Sequence, residues 1–442
     1  MSVASQSPSP VTPHSGPLAG VRILDFSEMI AAPLAGMLLS DMGADVIKIE
    51  PPEGESWRLF AQFMPGESRA FIPLNRGKRD IAIDLKSAEG QAIVHELVRD
   101  VDVVLINYRP DVPAKLGIDY ETLSAINPRL IYVWNTAFGH HGPHAHRPGY
   151  DLILQAMSGI MAASGRFDEK GLPQTVGGAA VVDISAGLTL AWAVCAALYA
   201  RERSGVGQKV DTSLFGAALT VQAQSFISIE VLDTEQREGV LAAIRSLRAG
   251  GRTFQEIAEA VRDLRGMGAL GPGVSPYYRV YQTKDDFIAV ACLNLQLRKK
   301  LLRVLGLEDA RLTPTGVGDL RSPESRAIGE KLVVDAEAIF RQKTGEEWLK
   351  LFDEAGVPAG PVRFADELFE DTHVLEAGLV QEMQHHAAGT LKMLGVPVKM
   401  SRTPLHPQCA SPGLGQHTDE VLRSIGYNEA RISELRERKV VR

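Results

Sequence analysis

The sequence predicts an α/β fold built on a doubly wound parallel sheet, and two observations carry that reading. Short, nearly continuous apolar runs recur through the first part of the chain, and a stretch with apolar residues at helical spacing separates each from the next. Strands that are apolar on both faces and joined by helices mark a parallel sheet covered on both sides.

VRILDF (21–26), bounded by Gly20, is the first strand, and AAPLAGMLLSDMGA (31–44) is the helix after it. DVIKIE (45–50) is a second strand closed by Pro51 and Pro52, because proline cannot donate to a ladder. SAEGQAIVHELVRD (87–100) is a helix, VDVVLINY (101–108) a third strand stopped at Pro110, ETLSAIN (121–127) a short helix and RLIYVWNTAF (129–138) a fourth strand. The run 176–200, VGGAAVVDISAGLTLAWAVCAALYA, has the length of a membrane span. Asp183 near its start is costly in lipid, so the run reads as a loop or short strand entering a buried, tightly packed helix, with no membrane partner. KVDTSLFGAALTVQAQSFISIEVL (209–232) is expected to be mostly helical. A second unit starts at residue 274, where VSPYYRVYQTKDDFIAVACL has the pattern of a β-hairpin turning at Lys284, Asp285 and Asp286. Helices are expected near 295–305, 322–343 and 345–355, and strands at 379–385 and 390–394.

The chain has 442 residues, 45% hydrophobic and 23% charged, a size for two or three globular units. Its net charge of −7 excludes the overall basic footprint of a nucleic-acid binder. The three cysteines, Cys195, Cys292 and Cys409, are odd in number and far apart, which is no disulfide framework and fits a reducing compartment. Residues 1–16, MSVASQSPSPVTPHSG, lack a basic and apolar leader and are expected to be a disordered tail. A cytoplasmic location is therefore expected. No GxGxxG follows the first strand, and neither GxxxxGK[ST] nor GxSxG occurs, so dinucleotide, P-loop and serine-hydrolase chemistry lack their motifs.

Asp183 is the carboxylate that stands out. It lies among Val, Gly and Ala, where an ionised carboxylate is costly and its pKa tends upward. It either caps the apolar helix that follows or faces a ligand. Two basic segments, LNRGKRDIAIDLKS (74–87) and NYRPDVPAKLG (107–117), lie near ends of expected strands, where α/β sheets bind ligands. They suit either a phosphorylated ligand or solvated surface. GHHGPHAHRPGYD (139–151) gathers His140, His141, His144 and His146, but the spacing matches no metal-ligand pattern, so the loop reads as polar and no metal is expected. Tyr150 and Asp151 stand directly before a helical run, Asp151 as a candidate N-cap.

Taken together, LAGVRILDFSEMIAAPLAGMLLSDMGADVIKIEPP, NRGKRDIAIDLKSAEG, DVVLINYRPDVPAKLGIDYETLSAINPRLIYV, FGHHGPHAHRPGYDLILQAMSG, VVDISAGLTLAWAVCAALYARERSGVGQKVD, GVPAGPV and GLGQHTDEVL resemble the class III CoA-transferases of the formyl-CoA and carnitine CoA-transferase type, whose superfamily includes α-methylacyl-CoA racemase. The resemblance implies a large Rossmann-like domain, a smaller α/β domain and an interlocked homodimer. On that pattern residues 17–225 are the large CoA-binding domain, completed by about 400–442. Residues 226–273 are a linker or insertion, 274–385 the small domain, and 386–442 a return linker and C-terminal segment.

The resemblance makes Asp183 the nucleophile, with Tyr150 and Asp151 lining the active site. It implies coenzyme A as cosubstrate, no other cofactor, and acyl-CoA and carboxylic acid partners. The positions matching CoA contacts are Ala31, Ile83, Lys86, Asn107, Tyr108, Lys115 and Leu116. Several positions depart from the family pattern. Lys115 stands where relatives often carry Arg, Ile30 where formyl-CoA transferases have Gln, and Pro51 where a basic residue is frequent. GMGALGPG (266–273) matches the family's glycine loop poorly, so oxyanion donors stay unassigned. The racemase branch has His where this chain has Tyr150, and a phenol is a poorer base than an imidazole near neutrality. CoA transfer is therefore expected, with racemisation, epimerisation or isomerisation by α-proton transfer as the alternative and a non-catalytic CoA-binding protein as the remaining one.

Overall fold

The computed structural model describes residues 15–178, 180–265, 275–313, 316–317 and 322–442. They form two compact units, one holding 15–166, 174–227 and 369–442, the other 167–173 and 228–368. The expected linker 226–273 falls largely into the second unit, and its glycine-rich end, 266–273, lies outside the described residues. The same is true of 1–14 in the expected tail.

The first unit is built on strands β1 (Arg22–Asp25), β2 (Asp45–Glu50), β3 (Lys78–Ala82), β4 (Val103–Ile106), β5 (Ile131–Thr136) and β6 (Gln208–Ser213). Their order is β3-β2-β1-β4-β5-β6, and every neighbouring pair is parallel. This is the doubly wound order, with its switch point between β1 and β4. Its helices include α1 (Ala31–Asp41), α2 (Ala88–Val98), α3 (Tyr120–Ile126), α4 (Asp151–Ser158), α5 (Val181–Ser204) and α6 (Leu214–Val221).

Alternate strand residues face opposite ways. Ile23, Val46, Val103, Leu105, Ile131 and Val133 pack with α1 and α5. Leu24, Ile47, Val104, Ile106 and Tyr132 pack with α2, α3 and the C-terminal helices Thr418–Ser424 and Glu429–Glu437. Each fully buried aliphatic side chain contributes about 1.5–3 kcal/mol, which is why these strands carry apolar residues on both faces. The C-terminal segment is thus part of this unit's core.

Helix α5 is apolar and long enough to cross a membrane by length and composition. Leu190, Ala191, Val194, Ala197 and Leu198 instead belong to the core beneath the sheet. Its small residues have a definite use. A Cβ on Gly187 would stand 2.7 Å from the carbonyl oxygen of Ala31 and 2.8 Å from the Leu34 side chain, so only glycine lets α5 lie this close to α1.

Two elements differ from the sequence reading. Residues 209–213, the start of the run 209–232 expected to be mostly helical, belong instead to β6, an edge strand whose residues are partly exposed and mostly polar, which hides the apolar signal. The basic segment 74–87 contains β3, and three of its cations, Arg76, Lys78 and Arg79, are counter-charges rather than ligand-facing groups. Lys78 is fully buried against Asp25 at 2.8 Å, Arg76 is buried against Asp41 at 2.7 Å, and Arg79 pairs with Asp45 at 2.6 Å. Burial outweighs Asp25 at Lys78 and pushes its ammonium down to about 8.

The second unit holds α7 (Glu230–Ala249), α8 (Phe254–Leu264), β7 (Tyr278–Gln282), β8 (Phe287–Ala291), α9 (Leu295–Leu305), α10 (Pro323–Phe340), α11 (Gly345–Ala355) and β9 (Ala359–Pro361). β7 and β8 form the expected hairpin, with Gln282 opposite Phe287 around the turn at Lys284, Asp285 and Asp286. β9 adds to β8 antiparallel. The core stacks Tyr281 on Phe340, ring centroids 4.0 Å apart, beside Trp348 and Phe352. The expected strands near 380 and 390 pair as a hairpin, Val380–His385 with Gly389–Leu394, inside the first unit.

Candidate active site

The C-terminal ends of β1, β4 and β5 open into a cavity of about 500 Å³ in the first unit. Its wall is made by the loop after β1 (Glu28 to Ala31), the loop after β4 (Asn107 to Pro110 and Val112), the end of β5 and the turn into α4. A crevice at the topological switch point is the general ligand position of open α/β sheets. The Asn107 side chain spans the switch. Its Oδ1 accepts the Glu28 N–H at 3.0 Å, and its Nδ2 donates to the Glu28 carbonyl at 2.8 Å.

Asp183 lies on this wall. It is not the cap of α5: that position belongs to Ala180, and Asp183 is the third helical residue. The cap comes from α4. Asp151 is the first residue of α4, and its Oδ2 accepts the N–H of Val182 at 2.7 Å and of Asp183 at 3.1 Å. Two of the first-turn amides of α5 are thereby spent on Asp151, not aimed at a ligand as a bare helix N-terminus would aim them. Gln155, buried one turn further along α4, donates to Asp151 Oδ1 and accepts the N–H of Val176 at 2.9 Å. Asp151 caps α5 rather than its own helix, and Tyr150 occupies the N-cap position of α4 without a side-chain bond to it.

No hydrogen-bond donor among the described residues serves the Asp183 carboxylate. Burial, followed by the nearby Asp151 charge, raises it from an ordinary 3.8 to about 7. Both the charged and the neutral form are accessible near neutrality. The phenol of Tyr108 is pushed up as well, by burial and the charge of Glu28, so it stays a donor.

The structure brings Ala31, Asn107, Tyr108, Tyr150, Asp151 and Asp183 together on one cavity. Tyr150 is exposed at its mouth. Ile83, Lys86, Lys115 and Leu116 lie outside the wall. Ile83 is buried in the core and bridges to Val441, Lys86 is exposed, Lys115 pairs with Asp111 at 2.8 Å, and Leu116 packs on the core. Sequence reasoning passed over Gln155, Arg147 and Trp57. Gln155 was legible as the one side-chain amide in the apolar run LILQAMSGI. Arg147 and Trp57 had no periodic signal, and both line the cavity.

None of the four loop histidines lines the cavity. His140 stacks edge-on against Trp134 and lies 3.0 Å from Asp211, and His144 meets Arg147. Among the described residues, Glu67, His385 and His386 place polar atoms within 4.8 Å of one another, as a metal set would. However, Nδ1 of His385 accepts the N–H of Ala387 and of Ala388 at 3.2 and 3.1 Å. A neutral ring then carries its proton on Nε2, and Nε2 faces Glu67 at 3.5 Å. Burial keeps His385 below the ordinary imidazole value. His385 Nδ1 is thus committed to backbone amides, and Nε2 faces the carboxylate without a hydrogen bond to it.

The model of CoA-transferase family III matches residues 18–418. The chain is 35% identical to the succinate–glutarate CoA-transferase of Agrobacterium fabrum, covering 92% of this chain and 96% of that one. It is 33% identical to the acetyl-CoA:oxalate CoA-transferase of Acetobacter aceti, covering 87% and 90%. The crystal structure of Rv3272 from M. tuberculosis superposes with a TM-score of 0.72 at 28% identity, over 93% of this chain and 100% of that one. This chain is a member of CoA-transferase family III.

Proposed function

We propose that Asp183 carries CoA from an acyl-CoA thioester to a carboxylic acid through covalent intermediates. The observation that supports this most is a carboxylate without a hydrogen-bond donor, opening on the switch-point cavity beside Ala31, Asn107 and Tyr108. Asp183 attacks the thioester carbonyl, the carbon–sulfur bond breaks, and a mixed anhydride forms with release of CoA thiolate. The thiolate attacks the aspartyl carbonyl of that anhydride, which frees the donor acid and leaves an aspartyl-CoA thioester. The acceptor carboxylate attacks this thioester and again expels thiolate. Thiolate then takes the acceptor's acyl group and restores the Asp183 carboxylate.

The cavity wall contains no imidazole, thiol or amine among the described residues. A phenol is a poorer base than an imidazole near neutrality, and the mouth carries Tyr150, which favours transfer over α-proton exchange. The substrate acids are small dicarboxylates. The relatives are named for succinate, glutarate and oxalate, and Arg109 and Arg147 on the wall offer guanidinium partners for a second carboxylate. The protein works as an interlocked homodimer, a reading supported by Leu188, Trp192 and Tyr199, which lie exposed along one face of α5. The unpaired thiols of Cys195, Cys292 and Cys409 fit a cytoplasmic setting.

An exchange assay tests this. Succinyl-CoA with glutarate, or acetyl-CoA with oxalate, is expected to yield the new thioester, with monocarboxylates much poorer acceptors. Deuterium entering the acyl α-carbon from solvent with no acceptor present, and no thioester exchange, would establish the racemase-type reaction instead. Light scattering that gave a monomer would remove the dimer.

A further inference from the structure

Met29 stands on the cavity wall with φ of 71°, in the left-handed region that residues bearing a Cβ seldom occupy. Its N–H is donated to Oε2 of Glu55 at 2.8 Å. Oε1 of Glu55 sits 2.9 Å from Nζ of Lys48, and both side chains are fully buried. The same ammonium donates to the Ser27 carbonyl at 2.7 Å. Burial alone would lower the Lys48 ammonium, but Glu55, Asp25 and Glu50 hold it above its ordinary value, so Lys48 keeps its charge. The segment from Ser27 to Met29 therefore takes its shape from side chains outside it, and it forms the β1 side of the cavity together with Ile30 and Ala31.

We infer that Glu55 is a positioning residue: it holds Met29 in the left-handed turn that lets the β1–α1 loop receive the acyl-CoA. The inference rests on the CoA-transfer reading above. Glu55 is not itself on the cavity wall, so it acts on the site through its neighbours, most directly through its bond to Met29. Without its carboxylate, Met29 relaxes toward negative φ and the loop edge shifts, whereas Asp183 on α5 keeps its cap from Asp151. Binding then suffers and chemistry does not, which is a split between KM and kcat.

The test is Glu55→Ala, read by calorimetric binding of CoA and by steady-state kinetics. CoA binding and KM are expected to weaken about tenfold, with kcat within about twofold. In a Met29→Gly background, where the left-handed turn needs no holding, the same Glu55→Ala change is expected to cost less than about twofold. A folded Glu55→Ala protein with wild-type affinity, or a loss undiminished by Met29→Gly, would overturn the inference. If the bare Lys48 ammonium prevents folding, the paired change Lys48→Met with Glu55→Leu removes both charges at similar volume, and the same tenfold loss is expected. Wild-type protein that bound no CoA would overturn the functional reading and this inference with it. Wild-type binding beside an unaffected variant would overturn this inference alone.

Discussion

Asp151 reaches from the first turn of α4 to the first turn of α5 and accepts the backbone N–H of Asp183 at 3.1 Å. One carboxylate therefore seats the other. It fixes the start of the helix that carries Asp183, and its charge, second to burial, raises the Asp183 carboxyl. Asp151→Ala removes the cap and is expected to cost about 1 kcal/mol of stability, together with most turnover. Asp151→Asn keeps a carbonyl acceptor but no charge, and the pH midpoint of its rate is expected below that of wild type. Rate–pH profiles of both variants check this.

The nucleophilic form of Asp183 is the carboxylate, and its raised value of about 7 puts the titration in the working range. At subsaturating acyl-CoA, kcat/KM is expected to rise with pH through about 7 and level off above it. A flat profile from pH 5 to 8 would show that burial does not govern this group in solution.

The same group carries a stability cost of known sign. Its folded value of about 7 lies above the ordinary 3.8, so the folded state binds the proton more tightly. Stability falls as the pH rises between those values and stays lower above them. Asp183→Asn removes that cost. It is expected to be inactive yet more stable than wild type by up to about 4 kcal/mol at pH 8, with a smaller gain at pH 5. Denaturant titrations at the two pH values measure this.

Gly187 lies one helical turn after Asp183, against Ala31 at the start of α1. A Cβ there would stand 2.7 Å from a backbone carbonyl, and backbone cannot swing aside. Gly187→Ala should gain helix propensity but lose more to the forced separation of α5 and α1. A net destabilisation of about 1–3 kcal/mol is expected, with reduced activity, checked by thermal melts and kinetics.

Much of this was legible because local patterns carry it. The apolar runs at 21–26, 45–50, 101–108 and 129–138 signal buried parallel strands, and β1, β2, β4 and β5 lie within them. Asp183 was visible as a lone carboxylate in an apolar run. Its dependence on Asp151 was not, because the two are 32 residues apart on different helices and periodicity reports only one helix at a time. β6 was hidden because an edge strand need not be apolar. The buried ion pairs were hidden because Lys78 on β3 finds Asp25 on β1 across the sheet, and Lys48 on β2 finds Glu55 in the loop beyond it, at no regular helical or strand spacing. A basic segment looks the same in sequence whether it meets solvent or a carboxylate.

The central claim is that Asp183 becomes covalently acylated. The direct measurement is peptide mass spectrometry after incubation with succinyl-CoA or acetyl-CoA and a hydroxylamine quench. A hydroxamate on Asp183, absent from Asp183→Asn and from protein without acyl-CoA, is the predicted result. Exchange of CoA between acids with Asp183 unmodified at every time point would contradict the covalent route.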